Sequence, residues 1–255
     1  MAERRILSTT VTETTWLTPG MIRIVVAGPD LEGFGAGEFT DHYVKCRFGD
    51  KTRSYTVRDW DPGAGLLTLD FVVHGDRGIA GPWAAQAKPG DTLQMAGPGG
   101  AYTPSRDADW HLLAGDDAAL PAIAVSLSRV PAGVPVFAVV EVDGPEHRQP
   151  LESPGDLTVV WLDRQAGPGE DPSLQLDAVT ALELPGGQGH AFVHGEATTV
   201  RLLRRHLLVD RGLPTDSLSA SGYWKLRRTD EEWRAEKREW MAAAEADVAG
   251  SARAS

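Results

Sequence analysis

Cysteine is nearly absent: Cys46 is the single one in 255 residues. One thiol excludes a disulfide framework and a cysteine-built zinc site. It also leaves no cysteine set for an iron–sulfur cluster. Cys46 lies in "HYVKCRF", an apolar-alternating run, and is read as a strand residue without a redox role. Long hydrophobic runs are lacking too. With no stretch of about 18 apolar residues, no transmembrane helix is expected. The opening "MAERRILSTTVTETT" has two arginines but no apolar segment of signal-peptide length, which reads as a soluble cytoplasmic protein. Positive charge is in deficit, 25 Lys and Arg against 36 Asp and Glu, for a net charge of −11. That balance disfavours nucleic acid as a partner. The deficit sits mainly in residues 106–255, so a site for an anion must be a local cluster, and the N-terminal part is the less hostile place for it.

What is present is a hydrophobic content of 42%, enough for a proper core, on a length that suits one large domain or two ordinary ones. The first hundred residues read as short strands between turn residues: 21–28 "MIRIVVAG", 41–48 "DHYVKCRF", 53–60 "RSYTVRDW", 66–74 "LLTLDFVVH" and 91–98 "DTLQMAGP". A short helix is expected at 81–88, with Pro82 in its first turn and Pro89 ending it. This spacing predicts a small antiparallel β-barrel or sandwich. After "GPGGAYTPSRDAD" the rhythm changes, placing a boundary near residue 105. Strands at 110–115, 134–142, 157–163, 190–195 and 216–224 alternate with helical patterns at 116–130, 173–182, 196–210 and 229–246. Alternation of that kind predicts a Rossmann-like, mostly parallel α/β domain with a C-terminal helix. The expected domains are therefore 1–105 and 106–255.

Several stretches carry chemistry. "RSYTVR" (53–58) puts two arginines, a serine, a tyrosine and a threonine on one strand, which an ordinary exposed strand also explains. "GIAGPWA" (78–84) opens a helix with small residues that let an anion approach backbone N–H groups, although a plain Gly/Pro loop reads equally well. "LLAGDDAALPAI" joins a strand to a helix where a dinucleotide phosphate would sit, yet it lacks G-x-G-x-x-G and opens its helix with two acids, which suit a well-capped helix.

As an ordered set, "RSYTVR", "DFVVHG", "GIAGPWAAQAKPGD", "GPGG", "LLAGDDAALPAI", "HGE" and "SGYW" resemble the siderophore-interacting protein family, FAD-dependent ferric-siderophore reductases of the ferredoxin–NADP reductase superfamily. The resemblance runs from about residue 5 to residue 228. It implies a FAD-binding barrel followed by an NAD(P)H-binding α/β domain. It implies that Arg53 pairs with the flavin pyrophosphate, that Tyr55 stacks on the isoalloxazine and that Thr56 lies near flavin N5, with Ser54 between them. Asp70, Phe71, Val72 and His74 are expected along the ring and ribityl chain, through backbone and, at His74, the imidazole. Gly78, Ala80 and Gly81 are expected to receive the pyrophosphate, with Trp83 beside them. Gly115, Asp116, Asp117 and Ala118, together with Glu196, Tyr223 and Trp224, complete the implied cofactor set. Arg164, just past the 157–163 strand, is expected to meet the 2′-phosphate of NADPH, which favours NADPH over NADH. For an anionic ferric siderophore the expected contacts are Lys45 and the group Lys225, Arg227 and Arg228. No resident metal is implied. Ferredoxin is an alternative donor.

The chain departs from the family pattern at three turns. Gly78-Ile79-Ala80-Gly81 stands where G-P-A-S is usual, Gly115-Asp116-Asp117-Ala118 where GDET is usual, and Gly97-Pro98-Gly99-Gly100 where GPRG is usual. Each departure removes a hydroxyl donor or a positive charge. The rival readings are a general flavin reductase or a reductase component with another acceptor, and a non-enzymatic flavin or siderophore binder. For the tail, Thr229 is expected as N-cap, with Trp233, Lys237, Trp240 and Met241 on one side of the helix. That side is expected against either the nicotinamide site or the back of the α/β sheet.

Overall fold

The computed structural model describes residues 5–35, 37–164 and 171–251. The chain divides into two compact units. One is Met1–Thr103 with the short stretches Ala124–Ser126 and Glu146–Pro150; the other holds Pro104–Ile123, Leu127–Pro145 and Leu151–Ser255. Among the described residues, no helix is long and apolar enough to cross a membrane.

The first unit is built on β1 (Ile6–Thr18), β2 (Met21–Ala27), β3 (Tyr43–Phe48), β4 (Lys51–Asp61), β5 (Leu66–Val72), α1 (Ala80–Gln86) and β6 (Thr92–Gly99). The six strands close into an antiparallel barrel in the order β1-β2-β5-β4-β3-β6. β1 has no counterpart among the strands expected from sequence, yet it closes the barrel by pairing with both β2 and β6. Its inward positions are Leu7, Thr9 and Val11, and the polar one is satisfied by donating from Thr9 Oγ1 to the Leu93 carbonyl at 2.8 Å. Ile22, Ile24, Val44, Leu67, Leu69, Phe71, Leu93 and Met95 fill the interior. Cys46 is fully buried among them, and burial pushes its thiol pKa up, as suits an inert strand residue.

The second unit holds β7 (Trp110–Asp116), α2 (Leu120–Leu127), β8 (Pro135–Val142), β9 (Asp156–Asp163), α3 (Leu174–Thr180), β10 (Gly189–Glu196), α4 (Ala197–Arg205), β11 (Leu218–Trp224) and α5 (Asp230–Ser251). The sheet order is β11-β10-β7-β8-β9, with every pairing parallel. Central β7 is buried at every residue, as a strand covered on both faces requires. The order reverses at β7, so ligands are expected beyond the strands' carboxyl ends near that point. A short π-helical turn, His206–Asp210, extends α4.

The expected acids do not open α2. Asp116 ends β7, Asp117 lies in the turn, and the helix begins only at Leu120. The tail forms as expected. Thr229 Oγ1 accepts from Glu232 N while Glu232 Oε2 accepts from Thr229 N, a reciprocal capping box. Trp233 is buried, with its ring edge-on to Trp240, and Trp240 Nε1 donates to the Ala197 carbonyl. α5 thus covers edge strand β11 and the start of α4. Met241, expected on the same side, is half exposed instead.

Candidate functional site

On the barrel, β4 presents the stretch from Arg53 to Thr56 opposite β3, with Ser54 facing Lys45 and Thr56 facing Tyr43. The Tyr55 ring is half-buried and lies 4.0 Å from the Phe71 ring, centroid to centroid, at 32°. Phe71 in turn touches Trp83 of α1 at 5.8 Å, and Trp83 meets Phe48 at 5.4 Å. One aromatic cluster therefore joins β3, β4, β5 and α1. It presents Tyr55 on a rigid apolar base next to the cationic Arg53, whose Nη1 donates to the Thr52 carbonyl.

His74 is exposed just after β5, in a loop leading to α1. Gly78 has φ +78°, and a side chain there would meet nothing within 4 Å. α1 has no side-chain cap and no acid in its first turn, so the N–H groups of Ala80 and Gly81 have no intrahelical acceptor. Gly81 has a packing reason of its own. A Cβ there would lie 3.1 Å from the Val72 carbonyl, tighter than an ordinary contact.

The Asp70 and Phe71 side chains serve scaffold and core, which leaves backbone for the contacts expected of these residues. Asp70 is buried and takes a two-pronged pair from Arg23, Nε at 2.7 Å and Nη2 at 2.8 Å, with Arg58 Nε at 3.8 Å. Phe71 is fully buried and supports Tyr55 from below. Neither side chain is left for a ligand. Val72, at the end of β5, is half-buried.

In the second unit the carboxyl ends of the strands carry a dense set of polar contacts. Gly115 is a packing residue, since a Cβ there would meet the His194 carbonyl at 2.5 Å. Asp116 is buried and accepts from Ala118 N at 2.9 Å, Glu196 N at 2.8 Å and Trp224 Nε1 at 2.8 Å. Burial, and then the neighbouring Asp117, push its pKa up to about 7. Glu196 caps α4 by accepting from Thr198 N and Thr199 N, and it also accepts from Leu226 N at 3.1 Å. Both carboxylates hold strand ends together. Tyr223 lies edge-on to the His194 ring at 5.0 Å, and Trp224 is 36% exposed.

The expected phosphate-binding arginine is enclosed by acids. Arg164 Nε donates to Glu141 Oε1 at 2.6 Å, and Nη1 donates to Asp117 Oδ2 at 3.2 Å and to Asp143 Oδ1. Burial acts against its charge, but Asp117 and Glu141 more than offset this and hold the guanidinium pKa above its usual range. The expected cationic group after β11 is also largely matched: Lys225 Nζ and Arg228 Nε each lie 2.6 Å from the Glu236 carboxylate. Arg227 is exposed with φ +59°. Lys45 on β3 takes part in none of the ion pairs among the described residues. Sequence reasoning passed over Arg23, Glu141, Asp143 and Glu236. Only Glu141 carried a signal, being an acid at the end of an apolar strand.

Residues 50–102 match the siderophore-interacting FAD-binding domain, and residues 108–227 match the siderophore-interacting protein model. Ferric vibriobactin reductase ViuB of Vibrio cholerae is 30% identical, covering 87% of this chain and 90% of its own. The chain belongs to the siderophore-interacting protein family. The NADPH-dependent ferric-chelate reductase of Escherichia coli is 28% identical over 84% of this chain and 91% of its own. Among solved structures, a siderophore utilization protein from T. fusca superimposes with TM-score 0.77 at 34% identity, covering 89% of this chain and 97% of its own. A ferredoxin NADP+ reductase from Neisseria gonorrhoeae, at 17% identity and TM-score 0.64 over 87% of this chain and 100% of its own, shares the fold. The barrel is thus a family FAD-binding domain. The Tyr55 platform, Arg53 and the uncapped, acid-free start of α1 suit a flavin ring with a pyrophosphate.

Proposed function

We propose that this protein is a FAD-dependent ferric-siderophore reductase that uses a reduced nicotinamide nucleotide as donor and releases Fe(II). The observation that supports it most is the Tyr55 ring braced by Phe71 and Trp83 beside Arg53, inside the stretch that matches the FAD-binding domain. When bound, the flavin accepts two electrons as hydride and gives them up singly, the conversion a one-electron iron acceptor needs.

The chain's own residues bind and orient. Arg53 pairs with the pyrophosphate, a role suited to a planar guanidinium fork. Ala80 and Gly81 add backbone N–H groups, and Gly78 leaves room for the phosphates. Tyr55 stacks on the ring, and Thr56 and Ser54 contact it from the same strand. Val72 contributes backbone and His74 an imidazole along the ribityl chain. Lys45 faces the anionic chelate, with Arg227 and the Glu236-paired Lys225 and Arg228 as a second cationic group. Iron is the substrate's cargo and needs no ligand from the protein, since Fe(II) leaves the chelator once reduced.

The test is anaerobic. The purified protein should be yellow, bleach on adding NADH or NADPH, and recolour on adding a ferric siderophore while a ferrous-specific chelator develops colour. Bleaching without recolouring by ferric chelates, but with recolouring by another acceptor, would replace this reading with that of a general flavin reductase. A colourless protein that takes up no FAD would leave a binding protein.

A further inference from the structure

We propose that the nucleotide accepted at the carboxyl ends of β7, β8 and β9 lacks a 2′-phosphate, because Glu141 and Asp143, held in place by Arg164, offer acceptors to ribose hydroxyls and repel a phosphate. This rests on the proposed function, which calls for a reduced nicotinamide nucleotide as donor. Doubly wound sheets use one of two devices here. An acid past the first strand accepts a ribose hydroxyl, or an arginine accommodates the 2′-phosphate. Both residue types are present in this chain, and their mutual bonds decide which one acts.

Glu141 lies near the end of β8, in register with Asp116 on β7 and Leu162 on β9. Its two oxygens are fixed separately. Oε1 accepts from Arg164 Nε at 2.6 Å, and Oε2 accepts from Gln175 Nε2 at 3.1 Å, with Gln175 itself buried. Each oxygen keeps a lone pair for a further donor. Asp143 accepts from the same guanidinium, and its side chain is 33% exposed, the most open of the three acids around Arg164.

Arg164 meets three carboxylates, so the cluster around it is net negative. None of these bonds uses the guanidinium's Nη2, yet a 2′-phosphate reaching it would set a dianion against the net negative cluster of Asp117, Glu141 and Asp143. Asp117, whose side chain is 12% exposed, cannot turn out into water to relieve the repulsion. Ribose hydroxyls meet no such obstacle, because they donate to the carboxylates without displacing the arginine. Arg164 is on this account a positioning residue for two acceptors.

The test measures binding without turnover. The FAD-loaded protein is titrated calorimetrically with ADP-ribose and with 2′-phospho-ADP-ribose. ADP-ribose is expected to bind at least tenfold more tightly. In the Glu141→Gln, Asp143→Asn double variant that preference should shrink at least tenfold or invert, with FAD absorbance confirming that the protein remains loaded. Equal or tighter binding of the 2′-phosphate by the wild-type protein overturns the proposal, as does an unchanged preference in the double variant. Should neither ligand bind, these strand ends hold no adenosine site and the proposal fails. Whether a nicotinamide nucleotide bleaches the flavin then decides the proposed function separately.

Discussion

The Trp224 indole N–H donates to the Asp116 carboxylate at 2.8 Å, tying edge strand β11 to central strand β7. Glu196 N and Ala118 N complete the set of donors, and a Cβ added at Gly195 would lie 2.6 Å from Asp116 Oδ2. Burial raises the Asp116 pKa from 3.8 to about 7. The folded state therefore keeps a proton that the unfolded chain has lost. The resulting stability is fully present below about pH 4 and declines as pH rises to about 7, because the folded state binds more protons across that window. At most the effect is on the order of 4 kcal/mol. Urea midpoints measured from pH 4 to 8 should fall more steeply for the wild-type protein than for Asp116→Asn. Parallel pH profiles would show that Asp116 stays ionised.

Arg53→Ala should weaken FAD binding by roughly 1.5–3 kcal/mol, the range for a charge-assisted hydrogen bond. Its Nη1 donates to the neighbouring Thr52 carbonyl, a local contact within β4, and the fold is expected to survive. Flavin fluorescence titration of deflavinated protein reads the change directly. Retention of full affinity would remove Arg53 from the pyrophosphate role.

The two-domain architecture was legible because the strands and turns of each half repeat at regular spacing. β1 was not, because an inward threonine interrupts its apolar alternation, and the bond from Thr9 to Leu93 that makes this tolerable joins residues 84 apart. The same limit governs the site. Arg53, Tyr55 and the loop from Gly78 to Gly81 are contiguous features and were read as such. The fates of Asp70, Arg164, Lys225 and Arg228 depend on Arg23, Glu141, Asp143 and Glu236, which neighbour them only in the folded chain. A residue type announces what it can bind, and the fold decides what it does bind.

Trp233 is 2% exposed and packs on Gly222, where an added Cβ would lie 2.8 Å from the indole. Trp233→Ala should destabilise the protein by about 3–5 kcal/mol. Gly222→Ala should cost about 1–3 kcal/mol through overpacking. Met241→Ala, on the exposed side, should change little. Denaturant unfolding of the three variants checks the order, and a Met241 cost equal to that of Trp233 would contradict the seating of α5.

Glu236 joins Lys225 and Arg228 to α5, with both N–O distances at 2.6 Å. These side chains are partly exposed, so the pairs contribute little to stability. Their larger effect is on charge: one carboxylate cancels part of the cationic group proposed to face an anionic ferric chelate. Glu236→Gln removes that negative charge without removing the hydrogen-bond acceptor. KM for an anionic ferric chelate should then fall severalfold at low ionic strength. The gain should fade as salt rises, because exposed charges are screened over about 10 Å at 0.1 M. kcat and the rate of flavin bleaching by the nucleotide should stay as they are, since no reacting group is touched. A KM unchanged at every salt concentration would mean that Lys225 and Arg228 do not face the chelate, leaving Lys45 and Arg227 as the remaining candidates.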